Sequence, residues 1–534
     1  MLLFRKNQSP AAHLAEEEKP KKSEPLCTTI LTYYLMIMFS FFTLFLTKKY
    51  ANSRHDKFYF YLVLSGVLIV GAGIAYFISR SESKRIGQTL SPMIKPVSVT
   101  DGAILCFVVF AAVSTFSSAY FPETLLAEVG RNNGLLLLIV YAAVYFIVTR
   151  MFVYKDSIIA VYLVFSCIVA GLTVINFFYL DPLGLLKGYS AKVAEDFGST
   201  IGNKNTIASY MAMFLPISMM TLAINKNRWM RIIAGVGIIF AYAGVISCNS
   251  GSVIMALCVA LPVMAIFCAR KYEYLKRYML ALALMFAGGK VLRLFSYIMN
   301  DKQKGFEFTQ DFLLYNKLTY IPIVVFGLLA LMMYLVQKKA EPHYPAKVVT
   351  IILVSLTGLV IVGFLGAILY FTLVDTQTKL GALERLLRFD DRWGTHRGFM
   401  WIRAVREYGK FSFFEVLFGK GTDMAYYVLE PHFSELLSKF GNTSTNSVHN
   451  EYLNYLVTQG ALGLISYLAI LGGVCVRSIR RAKENPIPLI FISAVVSYAV
   501  QAVVNISTPV TTPVFFLFIS MAEALNRQAD LKHQ

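Results

Sequence analysis

The run VVTIILVSLTGLVIVGFLGAILYFTL, residues 348–373, decides the fold of this chain. It contains no charged residue, and about 20 apolar residues are enough for a helix to cross a ~30 Å hydrocarbon core. Runs of comparable length recur from residue 28 onward, separated mostly by short polar loops. The segment that follows this run, residues 374–455, is instead long and polar. The pattern predicts a polytopic membrane protein with one large loop.

The composition supports the same class of protein. Hydrophobic residues make up 57% of the 534 positions and charged residues only 15%, whereas a soluble chain carries roughly 25% charged residues. The mean hydropathy is +0.59. We therefore predict an all-α bundle of about 14 transmembrane helices, with the large loop between spans 11 and 12. The predicted spans are residues 28–47, 58–79, 99–120, 134–153, 157–178, 205–224, 232–247, 252–268, 279–297, 318–337, 348–373, 456–476, 487–505 and 511–525.

The formal net charge of +19 is spread over short loops rather than gathered in one block. Basic residues distributed in this way orient helices in a membrane, which argues against nucleic-acid binding. Both termini are predicted to be cytoplasmic and residues 374–455 extracytoplasmic, although the basic first loop, residues 48–57, fits this orientation poorly. Residues 1–27 are predicted to be a disordered cytoplasmic tail, 28–526 the membrane domain and 527–534 a second cytoplasmic tail.

The predicted outer loop contains a positively charged stretch. Its ten basic and ten acidic residues cancel, but seven of the basic residues fall between Arg385 and Lys410, against the three acidic residues Asp390, Asp391 and Glu407. A locally positive surface on the outside of a membrane favours the binding of an anion.

A helix is predicted within this stretch, over residues 396–410. At 100° per residue, Arg403, Arg406 and Lys410 share one stripe, which predicts a solvated face. Arg397 falls on the opposite, apolar side of the helix.

The position of Arg397, beside Trp401, requires an explanation, because an arginine on an apolar face loses free energy to desolvation unless it finds a partner. One explanation is a structural salt bridge to Asp390 or Asp391. The functional explanation is a phosphate clamp, because a guanidinium group binds phosphate in a bidentate manner.

The stretch SVHNEYLNYLVTQGALG, residues 447–463, places His449 where the large loop turns into an apolar helix. Asn446 and Ser447 are good N-cap residues, which predicts that the imidazole lies in the first helical turn. The positive helix end would keep the ring neutral and attract an anion, so that a phosphorylated ligand docks within reach. The structural alternative is a histidine that caps or packs at the membrane interface, and Glu451 is an interfacial candidate of the same kind.

Three glycine-containing segments accompany these residues. Gly460 and Gly463 are interpreted as sites of close helix packing. The turn LFGKGTD, residues 417–423, lacks the spacing of a nucleotide-binding loop and is a weak phosphate cradle. The segment Gly202-Asn-Lys-Asn205 brings Lys204 and Asn205 to the outer face, where they line the same cavity or cap a helix.

Together these pieces resemble the O-antigen ligase and O-antigen polymerase superfamily of bacterial envelope glycosyltransferases, from about residue 100 onward. The order of the pieces, with several of them in a large outer loop before the final three spans, makes the resemblance specific. The stronger marks are Arg397 with Trp401, the Phe418-Gly-Lys-Gly421 turn, and Val448-His-Asn-Glu-Tyr-Leu453 followed by Gly460 and Gly463. The weaker marks are Val129-Gly-Arg-Asn-Asn-Gly134 and the segment GNKNTIASYMAMFLP, residues 202–216.

The resemblance implies an all-helical membrane enzyme that moves a glycan from undecaprenyl diphosphate to an acceptor hydroxyl. Arg397 would hold the diphosphate and His449 would be the base that activates the acceptor. The further substrate-binding residues expected are Arg388, Arg392, Trp401, Lys204, Asn205, Asn450 and Glu451. No metal and no cofactor is expected, and the seven cysteines form no CxxC pair that would suggest a zinc site.

One departure from the family concerns a second phosphate-binding arginine. The family commonly has Ser-Arg-Gly at the outer end of a middle span, where this chain has Asn249-Ser250-Gly251. Either this correspondence slips along the chain, or Arg388, Arg392 or Lys204 supplies the missing charge.

We therefore expect an O-antigen ligase-like glycosyltransferase, ligase or polymerase, in the bacterial cytoplasmic membrane with its site on the outer face. Its partners would be a lipid-linked glycan donor, a glycan, lipid or protein acceptor, and membrane lipids. The alternative is a lipid-glycan flippase or transporter, which would be expected to show two repeated halves with polar residues near the midplane. A scaffold without chemistry is the third class, and it would leave Arg397 and His449 unexplained.

Overall fold

The computed structural model describes residues 26–47, 49–50, 52–85, 97–339 and 344–531, and over these residues the chain is all-helical. One short antiparallel hairpin interrupts the helices. Its strands are β1 (Phe197–Gly198) and β2 (Gly202–Asn203), and Phe197 pairs with Asn203.

The helices before residue 300 include most of the long apolar ones. They are α1 (Leu26–Phe39), α2 (Phe41–Leu44), α3 (Ser53–Arg85), α4 (Val99–Phe116), α5 (Glu123–Leu126), α6 (Leu135–Met151), α7 (Asp156–Phe177), α8 (Ala191–Glu195), α9 (Lys204–Ile224), α10 (Arg228–Ser247), α11 (Gly251–Cys268) and α12 (Tyr272–Ile298).

The helices after residue 300 include long elements and short ones, and most of the short ones belong to the large loop. They are α13 (Phe308–Tyr315), α14 (Tyr320–Lys339), α15 (Ala346–Leu373), α16 (Glu384–Leu387), α17 (Trp393–Tyr408), α18 (Phe413–Phe418), α19 (Ala425–Leu429), α20 (Phe433–Phe440), α21 (Glu451–Arg481), α22 (Pro488–Gln501) and α23 (Thr512–Leu531). Short 3₁₀ helices occur at Lys317–Thr319, Gly381–Leu383, Glu430–His432 and Ala502–Val504.

All fourteen predicted spans coincide with helices, and eleven of the helical segments in the described ranges are long and apolar enough to cross a membrane. Helices α6 and α22 are apolar but shorter. Helix α23 falls short in apolarity because its second half carries Asn526, Arg527, Gln528 and Asp530. The chain is therefore a multi-pass membrane protein, while the count of fourteen spans and the placement of the loops remain predictions.

The two predicted tails lie at the edges of the described residues. Of residues 1–27, only Leu26 and Cys27 are described, and they begin α1. Helix α23 continues to Leu531, and within it Asp530 forms an ion pair with Arg477, with 2.7 Å between Oδ2 and Nη2. The last helix therefore extends beyond the predicted span 511–525, because its polar second half finds ionic partners, and the two cytoplasmic tails remain predictions.

Helix α9 lies at the centre of the bundle. Its residues from Ile207 to Ile224 are all buried, and it packs against α10, α11, α12 and α22. The Asn203 side chain caps the helix by accepting a hydrogen bond from the Asn205 amide at 2.9 Å. The capping interpretation of this segment is therefore confirmed, and the cap fixes the N-terminal end of the central helix.

Helix α15, formed by the run that decides the fold, has no buried residue. It contacts α11 and is tied at both ends. Just before the helix, the Tyr344 hydroxyl donates to the Ala269 carbonyl at 2.7 Å. At its other end, Thr372 Oγ1 accepts a hydrogen bond from the Phe389 amide at 2.9 Å. The most exposed long helix thus leads directly into the large loop.

The large loop, residues 374–450, folds into helices α16 to α20 around two small apolar clusters. Ala404 and Val428 belong to one cluster, which also includes Val457 and so joins α17 and α19 to α21. Phe399 and Leu436 belong to the other, which joins α17 to α20. The loop is therefore a packed structure that rests on the start of α21.

Candidate functional site

Helix α21 breaks at Gly460, and the break shapes the site. Gly460 has φ +70° and ψ −174°, a conformation that residues with a side chain rarely adopt. A Cβ atom there would lie under 3.0 Å from the Leu417 carbonyl group. Beside the break, the Val457 carbonyl accepts a hydrogen bond from the Lys420 amide at 3.1 Å. The glycine therefore lets the backbone of α21 touch the backbone of the 417–423 turn.

The 417–423 turn meets α21 with a glycine of its own. Gly419 has φ +77°, and a Cβ there would lie under 3.0 Å from the Thr458 backbone. The Gly421 amide donates to the Thr458 carbonyl at 3.1 Å. Close packing at Gly460 is thus confirmed, with this turn rather than a helix as the partner, whereas a Cβ at Gly463 would first meet Gln459 of the same helix. The amides of Lys420 and Gly421 hold α21, which agrees with the interpretation of this turn as a weak phosphate cradle.

The same turn ends at Asp423, whose buried carboxylate orders a second turn, residues 129–134. Its Oδ2 accepts hydrogen bonds from the amides of Arg131 at 2.6 Å and Asn133 at 3.1 Å. Burial raises the pKa of Asp423 to about 6, although these amides and the Arg131 charge oppose the shift. Gly130 permits the approach, because a Cβ there would collide with the Asp423 carbonyl. The break at Gly460 thereby positions Arg131.

Arg131 carries a guanidinium group that no carboxylate of the described residues binds by a hydrogen bond. Its backbone amide contacts Asp423, while its Nε atom is buried without a hydrogen-bond partner. Burial, reinforced by the charge of Arg54, lowers the pKa of Arg131 to about 10, and Asp423 opposes this shift. A buried donor without a partner costs free energy, and a bound anion would supply the partner.

His449 lies immediately before α21 rather than in its first turn. The N-cap is Asn450, whose side-chain oxygen accepts a hydrogen bond from the Tyr452 amide at 3.0 Å. The prediction that Asn446 or Ser447 caps this helix is therefore wrong. Ser447 instead uses its Oγ to accept from the His449 amide at 3.1 Å. His449 has φ +53°, a backbone conformation that carries the chain from the loop into the helix.

The His449 imidazole is half-buried and lies in the field of two arginines. Burial, with the charges of Arg131 and Arg397, lowers the pKa of His449 to about 3. The ring is therefore neutral near pH 7, as predicted, but burial and the arginines keep it neutral rather than the helix end. An anion bound beside the arginines would offset their charges and raise this pKa.

Arg397 begins the regular part of α17, after a left-handed stretch over residues 394–396. Its Nη1 donates to the Gly394 carbonyl at 2.6 Å and to Thr395 Oγ1 at 3.1 Å, while its Nε is buried without a hydrogen-bond partner. Burial lowers the pKa of Arg397, and the charge of Glu307 acts in the opposite direction. Like Arg131, Arg397 has a buried donor that a bound anion would satisfy.

The structural explanation predicted for Arg397, a salt bridge to Asp390 or Asp391, is wrong. Asp391 is bound by Arg403 at 2.5 Å. Asp390 Oδ1 accepts from the Arg392 amide at 2.8 Å. Both carboxylates therefore have other partners.

The prediction that Arg403, Arg406 and Lys410 form a solvated face of α17 is also wrong for Arg403. Arg403 is 6% exposed and lies between Asp391 and Glu435, each at 2.5 Å. Arg406 and Lys410 are exposed as predicted. Helical periodicity places these three residues on one side, but α20 covers the position of Arg403.

A cavity of about 390 Å³ opens beside His449. Arg131 and His449 line it together with a group of uncharged residues from three parts of the chain. That group comprises Val129, Tyr426, Ser444, Thr445 and Asn446. Asn446 also ties two of these parts, because its Nδ2 donates to the Gly130 carbonyl at 3.2 Å. The cavity thus joins a cation, a neutral base and uncharged polar groups.

The three cations considered as the second phosphate ligand have other surroundings. Arg388 binds Glu384 at 2.5 Å and donates to one carbonyl at the end of α15 and to two carbonyls of the loop. Arg392 is exposed. Lys204 pairs with Asp196 at 3.0 Å. None of them lines the cavity described here, and their roles in binding remain predictions.

Three further candidates for substrate binding, Asn450, Glu451 and Asn205, make hydrogen bonds within the protein. Asn450 caps α21, and Glu451 accepts hydrogen bonds from the hydroxyls of Tyr467 at 2.6 Å and Tyr498 at 3.2 Å. Asn205 Oδ1 accepts from Ser250 Oγ at 2.8 Å, which brings the Asn249-Ser250-Gly251 segment to the start of α9.

Trp401 packs its ring against Trp393 and Phe389, with centroids 5.0 Å and 5.9 Å away. Its Nε1 is buried without a hydrogen-bond partner. These contacts support the start of α17, and the part of Trp401 in substrate binding remains a prediction.

Arg131 is the functional candidate that the sequence analysis did not assign. The sequence feature that could have identified it is that Arg131 is the sole basic residue of segment 121–133. It also belongs to the weaker family mark Val129-Gly-Arg-Asn-Asn-Gly134. Its proximity to His449 depends on Asp423 and Gly130, which no local pattern relates.

Comparison with protein families matches residues 312–468 to the O-antigen ligase family. The match supports membership of the O-antigen ligase superfamily. A comparison with curated proteins found no match. The part matched to the O-antigen ligase family contains the large loop with Arg397, His449 and the break at Gly460. Arg131 lies outside it and reaches the same site through Asp423.

The candidate site combines two arginines, each with a buried Nε that lacks a partner, and one neutral histidine. Within the described ranges, no group of three or more His, Cys, Asp or Glu residues could hold a metal ion. The expected independence from metal remains a prediction. What the arrangement offers chemically is binding of an anion next to a group that can accept a proton.

Proposed function

We propose that this chain is an O-antigen ligase-like glycosyltransferase, which transfers a glycan from an undecaprenyl-diphosphate donor to an acceptor hydroxyl on the outer face of the cytoplasmic membrane. The observation that carries the proposal is a neutral His449 that shares a cavity with Arg131 and lies in the electrostatic field of both Arg131 and Arg397, each of which has a buried Nε without a partner. A cation pair next to a neutral base suits a reaction in which an anion leaves and a hydroxyl is deprotonated.

Arg131 and Arg397 would bind the diphosphate of the donor. Their guanidinium groups offer several donors in a planar fork, which matches phosphate oxygens better than a lysine does. The charge on the diphosphate grows as its bond to the sugar breaks, so these contacts strengthen in the transition state. Loss of Arg397 would therefore lower turnover on the order of 10²-fold or more.

His449 would act as the general base. Its neutral imidazole accepts the proton of the acceptor hydroxyl while the oxygen attacks the anomeric carbon of the donor sugar. The bond between that carbon and the phosphate oxygen breaks, and the lipid diphosphate departs with the electron pair. Because the bound diphosphate raises the pKa of His449, the donor itself would make the histidine a better base.

The test is glycan transfer by the purified full chain in lipid vesicles, with a lipid-diphosphate-linked donor, an acceptor and EDTA. The variants are His449→Ala and the control His432→Ala. His432 also belongs to the large loop, but its Nε2 binds Glu407 at 2.8 Å and it does not line the cavity. We expect transfer to survive EDTA, to fall by ~10²–10⁴-fold in His449→Ala and to persist in His432→Ala.

Other outcomes would reject parts of the proposal. Normal transfer by His449→Ala would remove the general-base role. Loss of transfer in EDTA that added metal restores would remove metal independence. Movement of the donor across the bilayer without any product would identify a flippase instead.

A further inference from the structure

The first loop, residues 48–57, carries positive charges that fit poorly with its predicted place outside the membrane. Each lysine or arginine that the structure describes in this loop donates a hydrogen bond to a backbone carbonyl, and these residues are Lys49, Arg54 and Lys57. Lys49 and Lys57 bind carbonyls outside the candidate site. Arg54 binds the carbonyl of Gly130, which belongs to the turn that carries Arg131. Of these three cations, Arg54 is therefore the one that reaches the site.

Arg54 lies at the start of α3, which is docked on the hairpin before α9. Thr200 Oγ1 in the hairpin donates a hydrogen bond to the Thr43 carbonyl at 2.7 Å. Gly202 approaches Ser53 so closely that an added Cβ would lie 3.1 Å from Ser53 Oγ. Because this backbone is docked, the half-buried Arg54 side chain forms its hydrogen bond at a lower cost in conformational entropy.

The Gly130 carbonyl joins three parts of the chain. It accepts hydrogen bonds from Arg54 Nη1 at 2.9 Å and from Asn446 Nδ2 at 3.2 Å, and a carbonyl oxygen has a lone pair for each of them. Gly130 directly precedes Arg131, while Asn446 belongs to the segment that leads to His449. Arg54 therefore helps to hold the turn of Arg131 against the segment of His449.

The buried carboxylate of Asp423 lies in the electrostatic field of two cations. Arg131 and then Arg54 oppose the rise in its pKa that burial causes. Arg54 also interacts with the exposed carboxylate of Glu128. Without the charge of Arg54, of the two cations Arg131 alone would be left to balance Asp423, and a bound anion would compete with that carboxylate. The charge of Arg54 thus keeps Arg131 available to an anion.

We propose that Arg54 is a positioning residue of the candidate site, which holds the turn of Arg131 and balances the charge of Asp423 so that Arg131 can bind the diphosphate. Arg54 itself does not line the cavity beside His449 within the described ranges. The inference rests on the proposed function for the identity of the anion.

The same contact assigns a side of the membrane to the first loop. Because Arg54 and Asn446 donate to one carbonyl, residues 48–57 lie on the same side as the large loop. The orientation rule describes charges in short loops that face water. Here each described lysine or arginine of the first loop is bound by the protein, so the positive charge on this side has a structural use.

Inorganic pyrophosphate tests the anion site without catalysis. Isothermal titration calorimetry on the purified full chain gives its Kd for the wild type and for the variants. Arg54→Gln keeps a hydrogen-bond donor but loses the charge, and we expect the Kd to rise roughly tenfold. Arg54→Lys keeps the charge and should retain most of the affinity. Lys49→Gln is the matched control, because Lys49 belongs to the same loop and binds the Lys187 carbonyl instead, so its Kd should be unchanged.

A second comparison asks whether Arg54 acts through Arg131. In the Arg131→Ala background, Arg54→Gln should change the pyrophosphate Kd by less than about twofold, because the cation that it serves is already absent. A residue that only stabilised the fold would have the same effect in both backgrounds. Circular dichroism of each variant gives the folded fraction to which the binding data are normalised.

Cysteine labelling on intact cells tests the placement of the first loop. The variants are Asn52→Cys in that loop, Ser444→Cys in the large loop and Lys226→Cys in a loop predicted to be cytoplasmic. A maleimide that cannot cross membranes is added, and mass spectrometry of the peptide around each position reports its modification. We expect the first two variants to be modified on intact cells and the third only after permeabilisation.

The outcomes that overturn the inference are distinct from those that reject the proposed function. Modification of Asn52→Cys and Ser444→Cys from opposite sides would exclude the shared carbonyl. The positioning role would be wrong if pyrophosphate did not bind the wild type, if Arg54→Gln bound it as tightly as Lys49→Gln does, or if the Arg131→Ala background left the effect intact. The expected binding pattern in a chain that shows no glycan transfer would instead reject the transferase and leave Arg54 as part of an anion site.

Discussion

Replacing Gly460 with alanine tests the contact from which the site is built. Gly460 has φ +70°, and a Cβ there would lie under 3.0 Å from the Leu417 carbonyl, where ordinary contact begins at 3.4 Å. The backbone strain costs about 1–3 kcal/mol, and the overlap with a backbone that cannot move aside costs about 1–3 kcal/mol more. We therefore expect a loss of about 2–6 kcal/mol, a large share of the ~5–15 kcal/mol that stabilises a typical domain.

The matched control is Gly472→Ala, in the same helix. Gly472 has no neighbour within 4 Å of an added Cβ, so alanine there should leave stability unchanged or raise it by about 0.5–1 kcal/mol. Unfolding in detergent, followed by tryptophan fluorescence and circular dichroism, compares the two variants. Glycan transfer by folded Gly460→Ala should also fall, because Arg131 is positioned through the same turn. Equal midpoints of unfolding for the two variants would refute the reasoning.

Three further predictions concern charged and titratable groups. The pKa of free His449 is about 3 and its neutral form is the active one, so the pH profile of kcat/KM should show no limb from His449 between pH 5 and 8. In the pH profile of kcat, the limb from His449 should lie at higher pH, because the diphosphate is then bound. A limb near pH 6.5 in kcat/KM would contradict this prediction. Arg131→Ala should lower kcat/KM on the order of 10²-fold, and Arg131→Lys should recover part of this loss. Initial rates of glycan transfer, measured against donor concentration, give kcat/KM. Unchanged rates in Arg131→Ala would remove Arg131 from the site. Arg403→Ala should destabilise the large loop by about 1–3 kcal/mol, less than the ~3–5 kcal/mol of a fully buried pair because its carboxylate partners reach solvent. Hydrogen exchange over α17 and α20 measures this change, and Arg406→Ala, at an exposed position, should leave the exchange unaltered.

The helices could be predicted, and His449 and Arg397 could be selected as candidates, because their signals are local. Long uncharged runs specify spanning helices wherever they occur. A histidine at the border between a polar loop and an apolar helix is visible in the sequence alone, as is an arginine on the apolar side of a helical pattern. Their surroundings were less accessible, since Asn450 rather than Ser447 caps α21 and moves His449 outside the helix.

The rest of the site depends on contacts between distant parts of the chain. Arg131 reaches His449 because Asp423 accepts the amides of the 129–134 turn, and Asp423 is placed by a glycine contact with α21. Arg403 is buried because Asp391 and Glu435 close over it from separate segments. Periodicity places a residue on a face of its own helix, but it does not say which other element covers that face.

The exposure of α15 has a mechanical consequence. Its 28 residues span about 42 Å as a helix, which exceeds the ~30 Å hydrocarbon thickness of a typical bilayer. Along its length α15 has no buried side chain and contacts α11, with hydrogen bonds near its ends, so hydrophobic mismatch would add to its tilt in a thinner bilayer. Its C-terminal end is hydrogen-bonded to Phe389, and the large loop would follow that tilt. Bilayer thickness would thus influence the proposed transferase, and glycan transfer should change with acyl-chain length in vesicles of otherwise equal composition.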